Sequence, residues 1–578
     1  MCGIAGVVHT DGRAVDPSAL SRMAEALAHR GPDGRGTWTN GSVGLAHTRL
    51  AIIELHGGHQ PMTASGSGCV LIFNGEIYNY KTLRQTLAAE GAPFVGHSDT
   101  EVVLRAYERW GDAAVDRLHG MFAFAIWNPQ TRQLFAARDR IGIKPFYYRW
   151  LDGTLTFASE LKAILVSDPT ASRALDVRSF DRYLRLQYVP GPQTMVEGIR
   201  QLPPGHTLTL SVDAEHLDER RYWQAHAVPG AHATVAQFHE RIGEAVRSHL
   251  VADVPVGALL SGGVDSSLIV AHMVRAASAP VHSFAVGFED DSLDERAAAR
   301  RVAAHLGTVH HEQVVTASDA ADTLPRIVAA MDEPLADYAA LPTYLIARFA
   351  ARHVKVVLTG EGADELFAGY RRYRRDRLLA PVARLRPAYQ PSHVFSRRET
   401  SRLIGRDPSA LDRESAVGRR APGTLNRLLL RDIEGWLPDN LLVKVDRMTM
   451  LCSLEARVPY LDHRFVEWAL GIPAPHKLPL LRGGDKLLLR QAAATMVPEE
   501  IAGRKKQGFK PPIDAWLRGR MRELAHDTLL AVNTRFRDRI DVRSVRRLLA
   551  GHDRGQANGH RIWALLVYQL WSQEYGIG

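Results

Sequence analysis

Around residue 235 the hydrophobic rhythm of the chain changes, and that change constrains the architecture before any motif is considered. Up to about residue 210 the apolar residues come in short runs broken by Gly, Asn and Asp: GIAGVV, VGLAHTRLAII, CVLIFNGEIYNY, FAFAIWN, QLFAARD and LTFASE. Such runs with frequent turn residues predict a sheet-dominated unit of two packed layers. One stretch, TEVVLRAYERWG at 100–111, spaces its apolar residues as a helix does and stops at a glycine. Between about 205 and 235 the pattern dissolves into polar, His- and Ala-rich sequence, read as the link between domains. Beyond it strand, glycine turn and long helix alternate: VPVGALLSGGVDSSLIVAHMVRAA, VHSFAVGF, ARRVAAHLG and VKVVLTGEGADELFAGY. Alternation of this kind predicts a parallel sheet flanked by helices. From 420 onward the sequence is Leu- and Arg-rich and mainly helical. A chain of 578 residues exceeds what one core supports, so the reading is two domains of different class.

Composition narrows the function classes. The net charge of +9 is thin over this length and suits a local anion pocket as well as a nucleic acid, which is not expected as a partner. The densest basic run, YRRYRRDR at 370–377, reads as a solvated or acid-paired helix face. Three scattered cysteines, Cys2, Cys69 and Cys452, make neither a disulfide framework nor a CxxC metal site. No uncharged run reaches the about 18 apolar residues of a membrane helix, and the amino end lacks the features of a signal peptide. A cytoplasmic protein with no membrane partner is the expectation.

The most informative internal motif is Leu260-Ser261-Gly262-Gly263-Val264-Asp265-Ser266-Ser267, which follows the apolar run VGALL and opens a helix. Paired glycines let a backbone approach an anion, and helix N-terminal amides donate to it. Asp265 beside phosphate is repulsive unless a cation lies between, which points to Mg²⁺ bridging it to a polyphosphate. The chain has no Gly-Lys dipeptide, so this is not a Walker loop. In an open α/β sheet ligands bind beyond the carboxyl ends of strands. There TGEGADE places Glu361, Asp364 and Glu365 at one strand-to-helix turn. Asp364 offers a second metal ligand and Glu361 a general base, whereas helix-end charge compensation accounts for Glu365. Further on, GRKKQGFKPP at 503–512 supplies lysines able to neutralise departing pyrophosphate.

At the amino end, Cys2 would become the first residue on removal of Met1, and an N-terminal cysteine carries its own base in the α-amine. Arg49 in HTRLAI can clamp a carboxylate. Asn74 and Gly75 in FNGE offer oxyanion donors after the strand CVLIF, and Asp99 in HSDTE can hold an α-ammonium. A nucleophile between a cationic and an anionic clamp describes recognition of a free amino acid.

The ordered set MCGIAG, HRGPDG, HTRLAI, FNGEIYN and SDTE resembles the glutaminase domain of class II amidotransferases. Joined to SGGVDSS, TGEGADELFAGY and SLEARVPYLDHR, it resembles the glutamine-hydrolysing asparagine synthetases over nearly the full length. That resemblance implies an α+β N-terminal sandwich of the Ntn-hydrolase kind, two packed β-sheets with flanking helices. It also implies an α/β C-terminal domain with a parallel sheet of the N-type ATP pyrophosphatase kind and a helical C-terminal part. The expected division is 2–210 glutaminase, 211–235 linker and 236–578 synthetase. Carried over residue by residue, Cys2 is the nucleophile, and Arg49, Asn74, Gly75, Glu76 and Asp99 bind glutamine, Asn74 and Gly75 forming the oxyanion hole. Leu259, Ser261, Gly262, Gly263, Val264, Asp265, Ser266, Ser267, Val286, Thr359 and Gly360 contact ATP, used as substrate. Asp265 and Asp364 ligate Mg²⁺, Glu361 sits at the amide-forming centre, and Lys506, with Lys505 beside it, stabilises pyrophosphate. Arg30 lies near the route for ammonia between the sites. The implied partners are glutamine, ATP and aspartate or another carboxylate, with a homodimer as candidate assembly. Competing readings are a ligase for a different carboxylate, a catalytically silent regulatory homologue and a nucleic-acid-modifying enzyme.

Overall fold

A computed structural model describes the chain except for residues 229, 231–232, 289–293, 380–393, 406–420, 481–483, 506–510, 532–533 and 578. The amino-terminal half builds two six-stranded sheets, antiparallel throughout. In spatial order the first runs Ile199–Gln201, Tyr147–Leu151, Thr154–Ala158, Gly3–His9, Val43–Arg49 and Gly34–Asn40. The second runs His216–Arg221, His206–Ser211, Gln133–Arg138, Gly120–Asn128, Val70–Ile77 and Met62–Thr63.

The sheets pack face to face, which explains why GIAGVV is apolar without alternation. Ile4 and Val8 point into the sandwich against Ile72, Ala125 and Leu208. Ala5 and Val7 point the other way, into a layer with Leu20, Met23, Leu161 and Ile164 from the helices Pro17–Ala26 and Leu161–Ser167. A strand covered on both faces has no polar side to show. The stretch predicted to be helical forms Asp99–Trp110, capped by the Ser98 side chain and ended at Gly111 in the left-handed region.

The second half holds a five-stranded parallel sheet in the order Val309–Val315, His282–Phe288, Val256–Leu259, Val356–Leu358 and Glu455–Arg457. Helices surround it and make up the carboxyl-terminal part, as expected. No helix among the described residues is long and apolar enough to cross a membrane. All three cysteines are free thiols. The run at 370–377 lies mostly on the helix Arg371–Leu379, where Arg372 pairs with Asp432 at 2.7 Å, so it is acid-paired.

The segment read as a link from 211 differs from that expectation. Residues 206–221 form a hairpin at the edge of the second sheet. The strand His216–Arg221 leaves nearly every side chain exposed, so it lacks the apolar alternation by which strands are recognised. Past it, Trp223 donates its indole N–H to Glu467 at 2.9 Å and ties the crossing chain to the second half. The halves share apolar packing: one continuous cluster runs from Phe73 and Leu104 to Phe238, Ile242 and Leu268.

Candidate active sites and the seam between them

Cys2 sits at the head of the central strand of the first sheet, 8% exposed. Its backbone N–H donates to Asn74 Oδ1 at 2.9 Å, which brings the FNGE turn against the amino terminus. Asn74 is fully buried, and its Nδ2 finds no hydrogen-bond partner among the described residues, an unspent donor beside the thiol-bearing residue. Gly75 follows where the chain passes tightly over the neighbouring strand: a Cβ there would lie 2.2 Å from the Met121 carbonyl oxygen. Burial pushes the Cys2 thiol up, opposed by the nearby α-amino group, a Leu50 backbone hydrogen bond and Arg49. The Arg49 guanidinium is held by main-chain carbonyls, at 2.7 Å to Glu54 and 3.4 Å to Ile53.

Two carboxylates complete this site. Asp99 accepts from the Ile77 N–H at 3.0 Å and the Thr100 N–H at 2.8 Å, and burial pushes its carboxyl up to about 6. Burial also pushes Glu76 up, with Glu455 adding to the rise and Arg457 opposing it. Both neighbours come from the second half of the chain, on the three-residue strand Glu455–Arg457. Glu455 pairs with the Met1 ammonium at 3.3 Å and with Arg457 Nε at 2.5 Å, and Arg457 Nη2 lies 3.4 Å from Glu76. The Arg457 carbonyl also accepts from the Thr359 N–H at 2.9 Å, so one residue touches both sites.

Arg30 occupies the seam fully buried. Its Nε donates to the Cys2 carbonyl at 3.1 Å, and its Nη1 reaches Glu160 at 2.7 Å and Asp446 at 2.8 Å. Arg447 adds ion pairs to Glu160 at 2.9 Å and Asp332 at 3.1 Å. Asp446 and Arg447 lie on the helix Val443–Met450, which also carries Lys444. A separate contact across the seam joins His119 Nε2 and Asp462 at 2.6 Å.

The second site is a cavity of about 440 Å³ at the carboxyl end of the parallel sheet. Leu259, Ser261, Gly263, Val264, Asp265 and Ser266 line it from the central strand and the helix Val264–Ala276. Val286, Thr359, Gly360, Glu361 and Asp364 line it from the adjoining strands and turn. No side chain caps the helix at Gly263, which leaves its first N–H groups for an anion. Gly262 and Ser267 lie behind the loop. Gly262 takes φ 68°, and a Cβ there would sit 2.5 Å from Ala299 N. Ser267 is fully buried and donates its hydroxyl to the Gly263 carbonyl at 2.7 Å. Glu365 is also buried and accepts from the Tyr370 hydroxyl at 2.6 Å. Lys505 lines the cavity, while Lys506 lies outside the described residues.

Lys486 is the residue here that sequence patterns do not reveal. It is 1% exposed, and its Nζ lies 2.5 Å from Asp265 Oδ2 and 2.6 Å from Asp364 Oδ1. Burial works against its charge, but the two carboxylates prevail and hold its pKa above the ordinary lysine value. Both acids therefore converge on one positive charge, the arrangement a shared cation requires.

The asparagine synthase family model matches residues 237–573, and a glutamine amidotransferase domain model matches 1–223. The glutamine-hydrolysing asparagine synthetase 1 of Bacillus subtilis is 34% identical, covering 99% of this chain and 96% of that protein. Synthetase 3 of the same organism is 34% identical over 88% of this chain and 87% of its own length. Amidase chry2 of Gibberella zeae is 28% identical over 92% of each. With a match to more than half its length and a relative this similar from end to end, the chain belongs to the asparagine synthase family.

Proposed function

We propose that this protein converts L-aspartate to L-asparagine, using ammonia from glutamine and an acyl-adenylate formed from ATP, with release of AMP and pyrophosphate. The observation that carries the reading is the pairing in one chain of a buried N-terminal cysteine site with a phosphate-loop cavity, joined through Arg30. Cys2 attacks the side-chain carbonyl of glutamine while its α-amine, freed by loss of Met1, takes the thiol proton. The Asn74 Nδ2 and the Gly75 amide receive the oxyanion, each worth roughly 2.7–4 kcal/mol in the transition state. Ammonia leaves, and water releases glutamate from the thioester. Arg49 binds the glutamine carboxylate, and Glu76 and Asp99 its α-ammonium.

In the cavity the lining residues named above hold ATP, and the acceptor carboxylate attacks its α-phosphorus. Asp265 and Asp364 fit Mg²⁺ because their oxygens already share one cation, the Lys486 ammonium. Bound there, Mg²⁺ would offset polyphosphate charge. Glu361 accepts the proton of the attacking ammonia, and Lys506 steadies the pyrophosphate.

The deciding experiment supplies ATP, glutamine and L-aspartate and measures AMP, pyrophosphate and amide together. One AMP and one pyrophosphate per asparagine is expected. ADP and phosphate would refute the adenylate, and product only with another carboxylate would refute aspartate. The relative named as an amidase favours testing such acceptors as the second reading.

Asp99 provides a separate check. Only its ionised form pairs with an α-ammonium, and its carboxyl titrates at about 6. Glutamine affinity of a Cys2→Ala variant is therefore expected to fall as pH drops through that value, approaching about tenfold per unit. Titration calorimetry measures it, and an affinity flat across the range would remove Asp99 from this role.

A further inference from the structure

The contact between His119 and Asp462 has a third member. His463, next in the chain to Asp462, brings a second imidazole to the seam, its ring centroid 5.2 Å from that of His119. One ligand atom from each of the three residues lies within 4.8 Å of the other two. An ion pair explains His119 Nε2 against Asp462 Oδ2 at 2.6 Å, but it gives the second imidazole no task. Among the described residues the nitrogens of His463 take no hydrogen bond, and its ring packs edge-on against His119 and Trp223. Burial, with Arg140 adding to it, pushes the His463 pKa down to about 3, so the ring is neutral and offers a lone pair.

The backbone on each side of the seam fixes where these side chains meet. His119 directly precedes the strand Gly120–Asn128. Its N–H donates to Asn79 Oδ1 at 3.0 Å, and its carbonyl accepts from the Tyr78 N–H at 2.7 Å, which pins it beside the end of the strand Val70–Ile77. Asp462 caps the helix His463–Gly471, its Oδ1 accepting from the Arg464 N–H at 3.0 Å, and this leaves Oδ2 facing His119. The Arg464 guanidinium stands off from the carboxylate, with Nε at 3.4 Å and Nη2 at 3.5 Å, on a side chain that is 51% exposed. A cation bound more closely can displace it into solvent.

We propose that His119, Asp462 and His463 bind a divalent transition metal of the zinc class, which ties the two halves of the chain together across the seam. None of the three lines the nucleotide cavity, and the proposal is independent of the amidation reading. Two imidazole nitrogens with one carboxylate suit zinc, cobalt or nickel, whereas Mg²⁺ prefers oxygen ligands. A tetrahedral zinc ion spaces its ligand atoms about 3.3 Å apart, so the 2.6 Å pair opens slightly, His463 closes in, and water completes the set. The metal takes the place of the proton that joins His119 Nε2 to Asp462, and that proton leaves to solvent. Just before Asp462 lies the turn Pro459–Leu461, whose Tyr460 hydroxyl donates to the Asp265 carbonyl at 3.2 Å. The metal thus fastens a segment that touches the phosphate loop to one that leaves the FNGE strand.

The test strips the full chain with a chelator, returns it to buffer containing excess Mg²⁺, and titrates it with Co²⁺ alone, followed by visible absorbance. The native chain should take up one Co²⁺ with the intense bands of a four-coordinate ion, and Zn²⁺ should displace it. His463→Phe keeps the edge-on ring packing and the His119–Asp462 pair but removes a ligand, so its affinity should fall by about a hundredfold or more. Absence of such bands in the native chain overturns the site. Binding unchanged in His463→Phe places the metal on other histidines and overturns it equally. Where that variant fails to fold, X-ray absorption of the native Co²⁺ complex decides: two imidazoles on the metal are expected, and fewer refute the proposal.

Discussion

Replacing Cys2 by alanine is expected to abolish the glutamine-driven reaction, by about 10⁴-fold or more, and to spare the ammonia-driven one. On the proposed reading the nucleophile lies in the first half of the chain, whereas the cavity assigned to ATP is lined mainly from the second, so the Cys2 side chain would serve only the supply of nitrogen. The nitrogen that donates to Asn74 Oδ1 is a peptide nitrogen while Met1 is present and becomes a free amine once it is removed. Before that, the terminal ammonium lies a residue away, on the buried Met1, and pairs with Glu455. Active protein should accordingly weigh one methionine residue less than the sequence as written, and intact-mass spectrometry reads this directly. Parallel loss of both activities in Cys2→Ala would assign Cys2 a structural role instead.

The second large effect concerns Lys486. Its ammonium pairs with both Asp265 and Asp364, so Lys486→Met removes the positive charge that the two carboxylates share. Removing one partner of a buried pair costs about 3–5 kcal/mol, and the partial exposure of these carboxylates places the loss toward the lower end. Thermal unfolding of Lys486→Met should therefore begin well below that of the native chain. Mg²⁺ with ATP should recover most of the difference, because a cation held by the same acids supplies the missing charge. A variant that melts with the native chain, or gains nothing from Mg²⁺ and ATP, would show that the lysine does not balance these acids.

Much of the fold was legible because its signals are local. The loop at 260–267 declares itself by glycines after an apolar run, and the helix Asp99–Trp110 by spacing and caps. What escaped notice was made by distant contacts. Lys486 meets Asp265 across 221 positions, and Asp446, the partner of the Arg30 that the resemblance did name, lies 416 positions from it. Neither lysine nor arginine leaves a periodic trace when its partner lies so far along the chain. The strand Glu455–Arg457 is short and charged yet wholly buried, the reverse of the pattern by which strands are read. The cavity residues Asp337, Asn440 and Lys444 likewise come together only in the folded chain.

The helix Val443–Met450 bears on how such proteins can exchange parts in evolution. Lys444 faces the cavity while Asp446 and Arg447 answer Arg30 and Glu160 across the seam. Successive positions on a helix are roughly 100° apart, so inserting one residue before it would turn each charge toward the wrong neighbour. A chimera of this amino-terminal half with a distant relative's second half would strand Arg30 or Glu160 in the interior unless matching charges came with the graft. Although two family models divide the chain, recombination between relatives is restricted at a buried seam that carries no nucleophile.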